Sequence, residues 1–258
     1  MSGSALDRGT LRIGFQRNTP PFSYSPTAEF HPIGYSVDLA QLVLAKVFRR
    51  VEIIPPVQAV EVTSSTREGL LVGGGIDMEC GSTTITEERL LRNAFSRPIF
   101  RNSHRIAHRS GTNSPAPGGL RVVGIQGSTS EAALRSQSDI GFEYTFIGVP
   151  SIGAARNAFS NDQHVDAMVA DEVILRSLLR GSAAAEDIRL MDVRLGEECY
   201  GFMMRHGDEA LVHSVDAALD DVFASPDYLL LRKKWFHDEL PGLGFGLEID
   251  PADEMFVS

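Results

Sequence analysis

The strongest constraint on the fold is a repeated alternation of short apolar strands with amphipathic helices, carried by two stretches of unrelated sequence. In the first, Leu11-Arg-Ile-Gly-Phe15 alternates apolar residues between Gly9 and Pro20-Pro21 and predicts a strand. Ser36, within Gly34-Tyr-Ser-Val-Asp38, is placed to cap a helix whose apolar positions Leu39, Leu42, Val43 and Val47 follow helical spacing. Val51-Glu-Ile-Ile54 predicts the next strand, stopped by Pro55-Pro56. Ser65 and Glu68 have the spacing of a capping box for a short helix that Gly73-Gly-Gly75 ends. Ile76-Asp-Met-Glu-Cys80 returns as a strand. Such a βαβαβ order implies a parallel sheet with helices on its faces.

The second stretch repeats the pattern. Leu120-Arg-Val-Val-Gly-Ile125 is a strand, and Gly127-Ser-Thr-Ser-Glu131 opens a helix. Strands over 143–149 and 165–170 alternate with helices over 152–161 and 171–180. A polar, Pro/Gly-rich loop over 110–119 separates the two units, each about 100 residues, a normal domain size. The chain ends in helices. Over 208–223 an apolar stripe runs through Leu211, Val215, Ala218, Leu219 and Val222, and a second helix over 228–236 follows Pro226. Packing these helices on the first unit requires the chain to cross between units twice. Two lobes joined by a double crossover form a cleft, a preferred place for a small ligand.

Composition serves here to exclude. With 24 Lys+Arg against 34 Asp+Glu the net charge is −10 and there is no basic run, which argues against a nucleic-acid or anionic-membrane partner. A hydrophobic content of 43% excludes intrinsic disorder. Cys80 and Cys199 are too few for a disulfide framework or a four-cysteine metal site. They read as two buried thiols, with a bridge between them left open. No apolar run approaches the ~18 residues of a spanning helix. The start, Met1-Ser-Gly-Ser-Ala-Leu-Asp-Arg, lacks the pattern of a signal peptide. The chain is then either cytoplasmic or a mature form whose leader was replaced by a start codon and short linker.

Among residues that can carry chemistry, the strongest local signal is Gly81-Ser-Thr-Thr-Ile-Thr-Glu-Glu-Arg89, directly after a strand. Thr84 and Glu87 have capping-box spacing, so a helix is expected to begin near Thr84 with its first amides directed at an anion. Arg89 lies about one and a half turns on, where a guanidinium can fork onto a carboxylate. The bland alternative is an ordinary capped helix with a solvated Arg. Gly127-Ser-Thr-Ser-Glu131 repeats the arrangement in the second unit. Asp171, at the end of a strand, can hold a ligand cation or cap the next helix. His104 and His108 are four apart in a β-rich stretch, a poor metal pair, and Glu197-Glu198 reads as a solvated face rather than an acid/base pair. No nucleophile, zinc or P-loop motif is present. No cofactor or metal is expected.

Taken together, Pro21-Phe-Ser-Tyr24, Gly34-Tyr-Ser-Val-Asp38, Ile76-Asp-Met-Glu-Cys-Gly-Ser-Thr-Thr84 with Arg89, Ala94-Phe-Ser96 and Lys234-Trp-Phe236 carry a resemblance over nearly the whole chain. The sequence resembles the periplasmic amino-acid-binding proteins, the cluster 3 solute-binding proteins of polar amino-acid ABC transporters. The tail Gly246-Leu-Glu-Ile-Asp-Pro-Ala-Asp-Glu-Met255 is similar to their glutamate/aspartate-binding branch in particular. The resemblance implies an α/β, two-lobed type II periplasmic-binding-protein fold with two crossover strands and a central ligand cleft. Lobe 1 would comprise residues 1–104 and 202–258, and lobe 2 residues 105–201. It also implies that Arg89 pairs the ligand's α-carboxylate with help from Thr84 and Thr129, while Ser82 and Asp171 hold the α-ammonium.

For the ligand side chain the resemblance points to Ser64 and Arg67. Arg17 falls near a third such position, although ungapped alignment places Gln16 there. A His that completes the distal pocket in that branch has no counterpart around 151–154. Two Arg favour an anionic side chain, because an unpaired buried Arg is costly. The expectation is therefore a non-catalytic, periplasmic, monomeric receptor that closes on glutamate or aspartate and delivers it to an ABC permease in the inner membrane. Glutamine, asparagine or another small dicarboxylate stay open as ligands. An amino-acid sensor domain and a cyclohexadienyl-dehydratase-like enzyme stay open as alternative functions.

Overall fold

The computed structural model describes residues 4–7, 9–49, 55–110, 119–137, 140–180 and 187–247. The chain divides into two compact units, one holding Met1–Arg101 and Cys199–Gly242, the other Asn102–Glu198 and Leu243–Leu247. No helix among the described residues is long and apolar enough to cross a membrane.

The first unit opens with strand β1 (Leu11–Gln16), the short hairpin β2 (Asn18–Thr19) and β3 (Ser23–Tyr24), and helix α1 (Tyr35–Val47). It continues through β4 (Val57–Val62), α2 (Arg67–Val72), β5 (Met78–Glu79), the single turn α3 (Glu87–Leu90) and β6 (Asn93–Phe95). Strand β7 (Phe100–Arg109) then carries the chain into the second unit. There follow β8 (Leu120–Ile125), α4 (Thr129–Ser136), β9 (Tyr144–Val149), α5 (Ile152–Asn161), β10 (Ala167–Asp171), α6 (Glu172–Arg180) and β11 (Ile188–Leu190). Strand β12 (Glu197–Tyr200) brings the chain back to the first unit, which ends with β13 (Met203–Arg205), α7 (Glu209–Phe223) and α8 (Pro226–Arg232).

In the first unit the strand order is β4-β1-β5-β13-β6. β1 pairs in parallel with β4 and β5, the order the βαβαβ reading expects, but β4 lies beyond Pro55-Pro56, where that reading ended its strand; β13, arriving after the excursion, pairs antiparallel with β5 and β6. The second sheet runs β11-β7-β10-β8-β9, with β12 beside β7. Here β8 is parallel to β9 and β10, and β7 is antiparallel to β10. Alternating strand and helix in both units makes the parallel core of each sheet, and the ligand-facing loops of such sheets lie past the carboxyl ends of the strands.

Helix α7 packs on α1, and its predicted stripe Leu211, Val215, Ala218, Leu219 and Val222 is buried. An aromatic cluster locks the core of this unit. Phe22 lies 4.9 Å from Phe100 and 5.1 Å from Tyr200, and Phe236 stacks on Phe100 at 5.3 Å. Ile106, Val122, Leu134, Val169 and Leu195 form the core of the second unit.

Local starts differ from the sequence reading in three places. Helix α1 begins at Tyr35 with Gly34 as its cap residue, and the Ser36 hydroxyl instead donates to Gly81 O at 2.8 Å. Gly34 is required, since it has φ 146° and an added Cβ would come within 2.1 Å of Phe22 O. Helix α2 starts after Thr66, with no side-chain cap on its amides, so Ser65 and Glu68 form no capping box. The helix expected to start near Thr84 starts after Thr86, whose hydroxyl accepts from Arg89 N, because Thr84 bridges to Tyr200 in strand fashion. The expected strand over 51–54 and most of the 110–119 loop and of the 246–255 tail lie outside the described residues. Cys80 is buried and Cys199 half-buried, and both are free thiols.

Candidate functional site

In the first unit the predicted residues gather in the loops after β4 and β5. Ser64 is half-buried in the β4–α2 loop, and Arg67 opens α2. Arg67 is only 5% exposed, and its Nη1 donates to Thr83 Oγ1 at 2.6 Å. That hydroxyl donates in turn to Glu79 Oε2 at 2.5 Å. Burial pushes the Glu79 carboxyl above its ordinary range, against the pull of Arg67, the Thr83 hydroxyl, Gln16 and Arg89. Among the described residues, Arg67 Nε is buried without a hydrogen-bond acceptor. A buried guanidinium with an unmet N–H is a demand for an acceptor.

Arg89 sits within the single turn α3, with its side chain 14% exposed. Its Nη1 donates to Thr84 O at 2.8 Å, and its Nε lies 3.8 Å from Glu68 Oε1. Ser82 is half-buried and Thr84 buried on the same loop. The structure thus places Arg67 after β4 and Ser82, Thr84 and Arg89 after β5, the two loops linked by the hydrogen bond from Arg67 to Thr83. It does not add Arg17 to them. The Arg17 guanidinium forks onto Glu61, Nε to Oε1 at 2.9 Å and Nη2 to Oε2 at 2.7 Å, and its Nη1 donates to Thr27 O and Ala28 O. The neighbouring Gln16, by contrast, is buried.

In the second unit Thr129 is the first residue of α4, capped by Ser128, whose Oγ accepts from Glu131 N. Glu131 Oε2 accepts from Gly127 N at 2.7 Å, one residue before the cap, so only the Ser128 half of the capping box read from the sequence forms as such. Asp171 ends β10 immediately before α6. Its Oδ1 lies 2.8 Å from His104 Nδ1 and 3.4 Å from the Ser130 hydroxyl. His104 Nε2 faces Glu198 Oε2 at 2.9 Å. Burial alone would push the His104 ring down, but the hydrogen bonds and charges of Asp171 and Glu198 outweigh it and hold the pKa at about 10. With both ring nitrogens facing carboxylates, the three side chains form an ion triad.

Sequence reasoning set aside His104 and Glu198 and passed over Glu79. His104 and His108 lie on one extended strand, where an i,i+4 pair spans about 13 Å and cannot chelate. Glu197 and Glu198 point to opposite faces of β12, so only Glu198 reaches His104. Glu79 was hidden as one letter of a strand, and its signal was that two acids, Asp77 and Glu79, stood inside Ile76-Asp-Met-Glu-Cys80.

Comparison with known proteins bears on this geometry. Residues 11–238 match the family described as bacterial extracellular solute-binding proteins, family 3. An L-glutamate/L-aspartate-binding protein of Pseudomonas aeruginosa is 31% identical over 96% of this chain and 84% of its own length. A glutamate/aspartate import solute-binding protein of Escherichia coli is 26% identical over 98% and 86% respectively. Among solved structures, an ancestral arginine-binding protein bound to glutamine superposes with a TM-score of 0.75 at 26% identity, over 90% of this chain and 99% of that one.

Proposed function

Since the chain belongs to the bacterial extracellular solute-binding proteins, family 3, we propose that it is the periplasmic receptor of an ABC importer and binds L-glutamate or L-aspartate without chemical change. The observation that carries this reading is the polarity of the two groups of residues. The first unit offers two largely buried guanidinium groups, Arg67 and Arg89, one with an unmet N–H. The second offers a carboxylate, Asp171, at a strand end. An acidic amino acid needs cationic partners for its two carboxylates and an anionic partner for its ammonium.

In this reading Arg89, with Thr84 and Thr129, takes the α-carboxylate. Ser82 and Asp171 take the α-ammonium. Arg67 and Ser64 take the distal carboxylate, a role that Arg17 does not share while its fork is spent on Glu61. Glu79, whose carboxyl burial pushes above its ordinary range, meets Arg67 through the Thr83 hydroxyl rather than directly. Ligand contact from both units closes them over the amino acid, and the closed form is what the permease receives. The glutamate/aspartate names of the relatives support the same ligand class.

Isothermal titration with L-glutamate, L-aspartate, L-glutamine and L-arginine tests the reading. One-to-one binding that favours the two acids is expected, with a smaller radius of gyration in X-ray scattering of the complex. Preference for arginine, or turnover of the bound compound, would overturn it.

A further inference from the structure

Three parts of the second unit meet at one imidazole ring. His104 comes from β7 and Glu198 from β12, the two strands in which the chain passes between units, and Asp171 comes from the tip of β10. Their side chains are 4%, 8% and 15% exposed. At 2.8 and 2.9 Å from carboxylate oxygens, both ring nitrogens must be donors, which only the protonated ring provides. A neutral ring would set a lone pair against an anion. The Ser130 hydroxyl, from α4, lies 3.1 Å from Nδ1 and so touches both members of the His104–Asp171 pair. Ser103 and Arg105 flank His104 and turn to the other face of β7, where Glu172 meets Ser103, Arg105 and Arg176.

We propose that His104 is a positioning residue for the ligand's α-ammonium, a buried cation that bridges two carboxylates and thereby fixes Asp171. The inference rests on the reading of Asp171 as the ammonium partner.

A linkage follows. Ligand ammonium and imidazolium share the Asp171 carboxylate, so binding the first weakens the hold on the second and lowers the ring's pKa. Ligand-free, that pKa is about 10. Between the bound and free values the ring is protonated without ligand and neutral with it. Binding in that alkaline window therefore releases a fraction of a proton, and the ring's contribution to affinity grows as pH rises through it.

The test uses the whole protein. Proton–carbon NMR of the histidine rings, without ligand, should show His104 in its imidazolium form through neutral pH and titrating only in the alkaline range. Saturating L-glutamate should then lower that midpoint by about half a unit or more, a roughly threefold change in the ring's proton affinity. Calorimetry near pH 9, in two buffers of different ionisation enthalpy, should detect proton release for the wild type and none for His104→Gln, after the ligand's own titration is subtracted from both. A merely structural histidine would leave this proton count unchanged. Should H104Q fail to fold, the wild-type NMR titration carries the test alone.

The NMR titration is repeated with L-glutamine and L-arginine, which bear the same α-ammonium. If one of these, and not L-glutamate, moves the ring, the acidic-ligand reading fails and the positioning role stands. A ligand-free midpoint near the ordinary ~6.5 overturns the inference. So does a midpoint that no amino acid moves, or equal proton release in the variant.

Discussion

Arg67→Ala separates recognition of ligand charge from recognition of the amino-acid backbone. Arg67 is 5% exposed and linked through Thr83 Oγ1 to Glu79 by hydrogen bonds of 2.6 and 2.5 Å, so its guanidinium is held in place before any ligand arrives. At the effective permittivity of protein sites, two unit charges about 4 Å apart interact by about 4 kcal/mol. Truncating one member of such a desolvated pair costs about 2–5 kcal/mol, or about 30-fold to 4,000-fold in Kd for L-glutamate. L-Glutamine presents a neutral amide and loses one ordinary hydrogen bond, about 0.5–1.5 kcal/mol, or about 2-fold to 12-fold. At the centre of these ranges the glutamate-over-glutamine preference falls by nearly two orders of magnitude. Paired isothermal titrations of wild type and variant measure it. The double variant Arg67→Ala/Glu79→Gln removes the buried acid that the single variant leaves behind, and should show the same altered preference. Equal losses for the two ligands in both variants would refute the assignment of Arg67 to a distal carboxylate.

Further outcomes follow from the same geometry. Arg89→Ala should abolish binding of L-glutamate, L-aspartate and L-glutamine alike, since all three share the α-carboxylate, and retention of any one in calorimetry would remove Arg89 from that role. Gly34→Ala should destabilise the fold by more than about 1 kcal/mol in denaturant unfolding, because φ 146° and a Cβ contact of 2.1 Å with Phe22 O are both unfavourable. Burial works against the charge of Glu172, yet hydrogen bonds from Arg176 and Ser103 and the charge of Arg105 hold its carboxyl below the usual range. Its stabilising contribution is therefore complete above the unfolded carboxylate pKa and lost as pH falls through the lower folded value. Glu172→Gln should accordingly lower stability at neutral pH by an amount that vanishes in acid, measured by urea unfolding across pH.

The alternation of strand and helix was legible because buried parallel strands are short apolar runs bounded by Gly and Pro. The stripe of α7 was legible because one face of that helix is packed and the other is not. Strand β7 was read only as a β-rich stretch without bounds, since Phe100-Arg-Asn-Ser-His-Arg-Ile-Ala-His-Arg109 has neither an apolar run nor clean alternation, yet Asn102, Ser103, His104 and Arg105 are all buried. Their burial depends on partners distant in sequence, Asp171, Glu172, Met191 and Glu198, which no local pattern announces. The helix start at Thr86 was misplaced for a related reason. Three threonines lie within four residues there, and the bridge from Thr84 to Tyr200 decides which of them caps.

The candidate site residues divide in the same way. Arg89 and Asp171 were proposed from their places after strands, and Arg67 from resemblance. Glu79, Thr83 and His104 entered only when tertiary contacts showed a buried acid held by Arg67 and a ring held by two carboxylates.

Native mass spectrometry of the intact protein, offered an equimolar mixture of the twenty amino acids, tests the central claim most directly. A single bound ligand with the mass of glutamate or aspartate is predicted. A neutral or basic amino acid in its place, or no bound amino acid at any concentration, would contradict the claim.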